Sequence, residues 1–308
     1  MDSHAAIIER INHLRRERGA LILAHSYQSA EVQDIADLVG DSLELSRAAA
    51  GNDSAKLILF CGVNFMAETA AILRPDRPVY VPDPNAGCPL ANMITPRELA
   101  ELRREHPGAV VVAYVNTSAE IKAASDICCT SANAAQVVRS VPADREIIFI
   151  PDRNLGDWVQ QQAGRGNLII WRGFCPTHNR IMERDVREAR AAHPGAPVVV
   201  HPECRPEVRA LADKIASTSG MVRFCRESPA REFIIGTEIG MVYRLEKECP
   251  GKRFWPVTEL ADCPNMKLTT LEKVLWELQD LAHPVKLDPA VAAAARRPLE
   301  KMVEILGA

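Results

Sequence analysis

Residues 107–116 read Pro107-Gly108-Ala109-Val110-Val111-Val112-Ala113-Tyr114-Val115-Asn116, a turn followed by an unbroken apolar run and a polar exit. Apolar character on consecutive residues suits a strand covered on both faces, as in a parallel sheet. The stretch has two counterparts. Residues 21–24 follow Gly19 and lead into His25-Ser26-Tyr27, and residues 198–200 follow Pro194-Gly195-Ala196-Pro197 and lead into His201-Pro202-Glu203. From His25 to Tyr114 is 89 residues, and from Tyr114 to His201 is 87. A second set keeps step: Ser42, Ser131 and Thr218 each fall 17 residues after these strand ends. Strand-like runs recur once more at 79–82, 147–151 and 233–236, with helical stretches between. Strands alternating with helices predict an α/β protein. A period near 88 residues is too long for a solenoid, so three homologous α/β units are expected.

Length alone gave a different expectation. A chain of 308 residues suggests about two domains and can bury a large core without disulfide or metal staples. The balance of 37 basic and 40 acidic residues, without a one-signed segment, argues against a nucleic-acid surface and leaves small anions open as ligands. No apolar run approaches the roughly 18 residues of a membrane helix. Near the N-terminus Ile7, Ile8, Ile11 and Leu14 stand at helical spacing, with Glu9 and Glu17 among arginines. This resembles neither a signal nor a transit peptide, so a cytoplasmic location is expected. Nine cysteines, an odd number in a reducing compartment, do not make a disulfide framework.

The last part of the chain reads as packing. Thr269-Thr270-Leu271-Glu272 offers a capping box before Leu271, Val274, Leu275, Leu278 and Leu281 on one helical face. Pro284 and Pro289 interrupt the pattern, and a final helix carries Leu299, Met302, Val303, Ile305 and Leu306, with Pro298 opening or kinking it.

Three of the cysteines follow the repeat. Cys88 to Cys175 is 87 residues and Cys175 to Cys263 is 88, and each is followed by a proline. If the three units surround a common centre, these thiols converge. Three convergent thiolates suit a soft metal centre: structural zinc wants four ligands, whereas an iron–sulfur cube on three cysteines keeps one iron open. The alternative is that they are small buried hydrophobes, as most free cysteines are, and that reading holds for Cys61, Cys128, Cys129, Cys204, Cys225 and Cys249. No CxxC, HExxH or GxSxG is present; the pairs Cys175/His178 and His201/Cys204 offer only half zinc sites.

In parallel α/β units ligands bind beyond the carboxyl ends of the strands. Those ends carry His25, Tyr27, Tyr114, Asn116, His201 and Glu203. Ser42, Ser131 and Thr218 are expected at helix starts, as caps or as anion-binding groups.

Long segments point to one family. They include Ala36-Asp37-Leu38-Val39-Gly40-Asp41-Ser42-Leu43, Cys61-Gly62-Val63-Asn64-Phe65-Met66-Ala67-Glu68-Thr69, Tyr114-Val115-Asn116-Thr117-Ser118, Gly173-Phe174-Cys175, His201-Pro202-Glu203-Cys204, Ser217-Thr218-Ser219-Gly220-Met221 and Cys263-Pro264-Asn265-Met266-Lys267. Through nearly its whole length the chain resembles the quinolinate synthase family, the A protein of bacterial NAD biosynthesis. The resemblance implies three pseudo-symmetric three-layer α/β/α domains with short parallel sheets, arranged as a triangle around a central cavity. The domains expected are 1–88 with 264–308, 89–175, and 176–263. It implies a [4Fe–4S] cluster on Cys88, Cys175 and Cys263 acting as a Lewis acid. The implied reaction condenses iminoaspartate with dihydroxyacetone phosphate to quinolinate, releasing phosphate and two waters. Glu203 would be the general base, assisted by His201 and Tyr27. Tyr114 and Asn116 would hold carboxylates, and His25, Ser42, Ser131, Ser217 and Thr218 would bind phosphate or carboxylate oxygens. An aspartate-oxidising enzyme would supply iminoaspartate, and neither nucleic acid nor membrane is expected as a partner. Ser26 and Thr177 depart from the commoner residues of the family. The competing readings are a non-catalytic iron–sulfur sensor or electron carrier, and a zinc aldolase or hydrolase.

Overall fold

Each apolar run that opens a repeat becomes the first strand of a four-stranded parallel sheet in the computed structural model, which describes residues 3–305. The first sheet holds β1 (Ala20–His25), β2 (Leu38–Gly40), β3 (Leu57–Cys61) and β4 (Val79–Tyr80). The second holds β5 (Val110–Tyr114), β6 (Ile127–Cys129), β7 (Ile147–Ile150) and β8 (Leu168–Ile170). The third holds β9 (Val198–Val200), β10 (Lys214–Ile215), β11 (Glu232–Gly236) and β12 (Arg253–Pro256). In all three the spatial order is second, first, third, fourth. The fold class is therefore α/β with three short parallel sheets, each flanked by helices.

Continuous apolarity is explained by burial on both faces. In β1, Ile22 and Ala24 face the helices His4–Arg18 and Leu271–Asp280, while Leu23 joins the larger core on the other side. The third unit repeats the division, with Val198 and Val200 on one side of β9 and Val199 on the other.

The repeat extends to a polar device that the sequence reading did not identify. Asp37 Oδ2 accepts from the Ile22 amide at 2.8 Å, Asp126 Oδ2 from Val111 at 2.8 Å, and Asp213 Oδ2 from Val198 at 2.8 Å. Each carboxylate also meets an arginine from the preceding long helix: Arg15 at 2.9 Å, Arg103 at 3.0 Å and Arg190 at 2.8 Å. One clamp thus ties the start of the first strand to the approach of the second in every unit. The helix-to-strand turns before these strands use Gly19, Gly108 and Gly195 at φ of 61°, 91° and 84°, a region closed to most side chains.

Three expectations change, and one open alternative closes. The run at 79–82 is the fourth strand of its sheet, so the counterpart of β7 and β11 is β3. Ser131 does not open a helix: Asn133 is the N-cap of Ala134–Ser140, and Ser131 lies in the turn before it. The cap of Leu271–Asp280 is Thr270, which accepts from Lys273, so the third helical residue is not Glu272 and no reciprocal box forms. The last helix begins at Pro289 and encloses Pro298, which therefore does not open it. That helix packs against Asn64–Leu73, Ala119–Ala123 and β6, spanning the first and second sheets. Leu306 lies outside the described residues. Among the described residues no helix is long and apolar enough to cross a membrane.

Candidate active site and metal centre

In each sheet the chain leaves the first strand, crosses to the outer second, and returns to the third. That reversal opens a crevice at the carboxyl ends of the first and third strands. The three crevices meet in one cavity of about 130 Å³ lined by residues from all three units. His25, Tyr27 and Ser42 come from the first, Tyr114, Asn116 and Ser131 from the second, and His201, Glu203 and Thr218 from the third. Ser217 is not in the wall; its Oγ caps the helix Thr218–Glu227 by accepting from Gly220 at 3.2 Å. The same turn follows β1 and β9: His25 Nδ1 accepts from the Tyr27 amide at 3.2 Å, and His201 Nδ1 lies 3.3 Å from the Glu203 amide.

Cys88, Cys175 and Cys263 line the cavity and are half-buried, whereas the other six cysteines are buried. Each precedes a proline and a short helical turn: Leu90–Asn92, Pro176–Asn179 and Met266–Leu268. Amides of those turns reach back to the sulfurs, from Leu90 and Ala91 to Cys88, from His178 to Cys175, and from Asn265 and Met266 to Cys263. Buried carboxylates fix two of the loops: Asp152 Oδ2 accepts from the Cys175 amide at 2.9 Å, and Glu238 Oε1 from the Cys263 amide at 3.1 Å. Asn265 Nδ2 donates to Gly87 O at 2.6 Å, joining the third cysteine loop to the first. Burial pushes the Cys88 thiol up to about 12 and raises Cys175 and Cys263 as well. A bare thiolate is disfavoured there, and a bound cation removes that penalty. The donor set of three soft sulfurs, converging on one cavity with amides aimed at them, fits a soft metal centre.

Around the thiols runs a polar chain crossing all three units. Tyr27 Oη lies 2.7 Å from Thr237 Oγ1, which lies 2.8 Å from His178 Nε2. His178 Nδ1 is 2.9 Å from Glu203 Oε2 and 3.2 Å from Cys175 Sγ. Glu203 Oε2 is 3.3 Å from His201 Nδ1, and His201 Nε2 is 3.1 Å from Ser131 Oγ. The two imidazoles stack with centroids 4.6 Å apart. Burial works against ionisation of Glu203, but His178 and His201, by charge and hydrogen bond, hold its carboxyl below the usual range. Burial lowers His201, and it pulls His25 down to about 3, with the neighbouring His201 adding to the effect. Tyr27 and Tyr114 are raised by burial and by Glu203, so both phenols stay protonated and can donate. Glu203 Oε1 and Asn116 Oδ1 are buried acceptors without a protein partner, an arrangement expected where a ligand donates.

Cys175, His178 and Glu203 also bring their ligand atoms within 4.8 Å of one another, a second way to hold a metal. His178 and Glu203 are already engaged with each other and with Thr237 and His201. The half site His201/Cys204 does not form: Cys204 is buried and its thiol donates to Gly236 O at 3.4 Å. In the sequence His178 stands out only through its nearness to Cys175, and Thr237, Asp152 and Glu238 lie in segments shared with the family, Gly236-Thr237-Glu238 and Pro151-Asp152, without a role of their own. The repeat period, carried to the ends of the third strands, was the signal for Asp152 and Glu238.

Comparison with known proteins points to one family. The family model for quinolinate synthetase A protein matches residues 9–304. A quinolinate synthase of Thermodesulfovibrio yellowstonii is 52% identical over 97% of this chain and 98% of its own. Those of Methanoregula boonei and Desulforudis audaxviator are 53% and 51% identical, each over 99% of this chain and 100% of their own.

Proposed function

The chain belongs to the quinolinate synthetase A protein family, and from that premise we propose that it condenses iminoaspartate with dihydroxyacetone phosphate. The product is quinolinate, with phosphate and two waters released, in NAD biosynthesis. Atoms balance without an oxidant, so the chemistry needs acid–base groups and an electrophilic centre and no electron carrier. The observation that carries the reading is the gathering of three cavity-facing thiols and the Glu203–His178–His201 cluster in one cavity.

Cys88, Cys175 and Cys263 are the residues to hold a [4Fe–4S] cluster, which when bound supplies a Lewis acid at its open iron. The rest falls to side chains. Glu203, kept ionised by two imidazoles, is the base that takes protons from the triose and the condensing carbons. His201, hydrogen-bonded to Glu203 and beside Ser131, passes protons between Glu203 and a bound oxygen. Tyr27, positioned by Thr237, donates from its phenol. Asn116 and Tyr114 receive the carboxylates, and Ser42, Ser131, Thr218 and His25 bind phosphate or carboxylate oxygens. We also assign three domains, 1–88 with 264–308, 89–175 and 176–263; each range contains one sheet. Iminoaspartate hydrolyses in water, so an aspartate-oxidising enzyme in the same cytoplasm is its expected source.

Anaerobic protein should be brown, carry about four irons and four sulfides per chain, and form quinolinate from the two substrates. A colourless, iron-free chain with full activity overturns the cofactor. A loaded cluster without quinolinate overturns the reaction.

A further inference from the structure

Both proposed substrates are anions, yet the cavity wall is poor in cations: Asp41, Glu203 and Glu238 face it against Arg180. A metal centre on the three cysteines takes up the end where their loops meet, so substrates must reach the cavity from elsewhere. Behind the wall at Asp41 and Ser131 lie two adjoining grooves of about 460 and 370 Å³. Asp41 lines both the cavity and the larger groove, and Ser131 lines both the cavity and the smaller. The grooves share Ala132, Arg223 and Glu227, and so form one vestibule.

The charge of this vestibule is opposite to that of the chain. Six basic residues line it against four acidic ones, on a protein whose net charge is −3. Arg47 donates to the carbonyls of Val303 and Ile305, and Arg139 to that of Gln162, so in these contacts neither meets a carboxylate. Lys214 rests its ammonium 5.9 Å from the Phe224 ring centre. The partition from the cavity is thin and made of contacts between units: Ser219 Oγ donates to Asp41 Oδ2 at 2.5 Å, and Ser131 meets His201 at 3.1 Å. Each bond joins two units, and none of the four residues lies in a strand.

We propose that this vestibule is the anion-collecting mouth of the active site; the inference rests on the quinolinate synthase reading. Its cations raise the local concentration of phosphate- and carboxylate-bearing substrates before they enter a cavity that has little charge to attract them. Such steering acts on association and is screened by salt.

The test is stopped-flow association of dihydroxyacetone phosphate with the anaerobic holoprotein, followed by the fluorescence of Trp158, which lines the smaller groove. Lys214→Glu and Arg223→Gln should slow association about 3- to 10-fold at low salt, with dissociation and cluster absorbance unchanged. The gap should close near 0.5 M salt. Arg104→Glu, an exposed position lining neither groove, should not slow association. Ala132→Trp, narrowing the vestibule, should slow association and dissociation together at every salt concentration. Rates in the vestibule variants that match Arg104→Glu overturn the proposal. Binding of the triose phosphate without formation of quinolinate counts against the assigned reaction, while the association rates still decide the mouth.

Discussion

Cys88, Cys175 and Cys263 differ from the other six cysteines in facing the cavity, and in being half-buried where the others are buried. Alanine at any one of them should abolish visible absorption, iron and sulfide content and quinolinate formation together. Cys128→Ala, in a buried strand, should keep all of these; metal and sulfide analysis beside the quinolinate assay checks both outcomes. Their convergence on one cavity was legible because a period survives in the sequence. His178 was not, because its meaning lies in Thr237 and Glu203, which only folding brings to it. Its neighbour in sequence, Cys175, suggested only a zinc half site. At the same scale His25 sets a pH dependence. The unfolded chain takes up a proton near 6.5, while the buried imidazole stays neutral down to about 3. Between those values the unfolded state binds more protons, so stability falls as pH falls. From pH 8 to pH 5 this costs about 2 kcal/mol. Unfolding midpoints at the two pH values should show that extra loss in the native protein and not in His25→Gln.

At the scale of elements, the clamp between aspartate, arginine and first strand recurs with the same partners in all three units. Its two contacts are unequal. The Val111 amide lies in a fully buried residue and has Asp126 Oδ2 at 2.8 Å, whereas Arg103 and Asp126 are both substantially exposed. Asp126→Ala should therefore cost about 1.5–3 kcal/mol, the value of a hydrogen bond to a charged group at a buried amide. Arg103→Ala should cost less than about 1 kcal/mol. Urea unfolding of both variants separates the contributions, and Asp37→Ala and Asp213→Ala should fall in the same range as Asp126→Ala. The first strands were readable because parallel strands buried on both faces write themselves as apolar runs. The third strands were harder. The run at 79–82 has the composition of β7 and β11, but only hydrogen-bonded order reveals it as a fourth strand.

At the scale of the whole molecule, three similar units meet at one cavity, and what keeps them together decides whether the site exists. The helix Pro289–Glu304 lies across the first and second units and buries Ala295, Pro298, Leu299 and Met302. Its carbonyl end is received by both units: Arg47 donates to Val303 O at 2.8 Å, and Asn133 Nδ2 donates to Met302 O at 2.9 Å. Asn133 also accepts from the Thr130 amide at 2.8 Å, fixing the turn that presents Ser131 to His201. The tail read as packing in the sequence is thus joined to the cavity wall through one amide side chain. Leu299→Ala removes buried surface without touching that amide, and should lower stability by about 2–5 kcal/mol with iron content and kcat retained. Asn133→Ala takes a partner from the Met302 carbonyl and from the buried Thr130 amide, while the Ile305 carbonyl keeps Arg47. It should lower stability by about 1–3 kcal/mol and, unlike Leu299→Ala, lower kcat, because the Ser131 turn loses its anchor. Unfolding midpoints, iron analysis and steady-state rates on the two variants decide the point. Equal kcat values in both would mean that the turn holds Ser131 without help from the C-terminal helix.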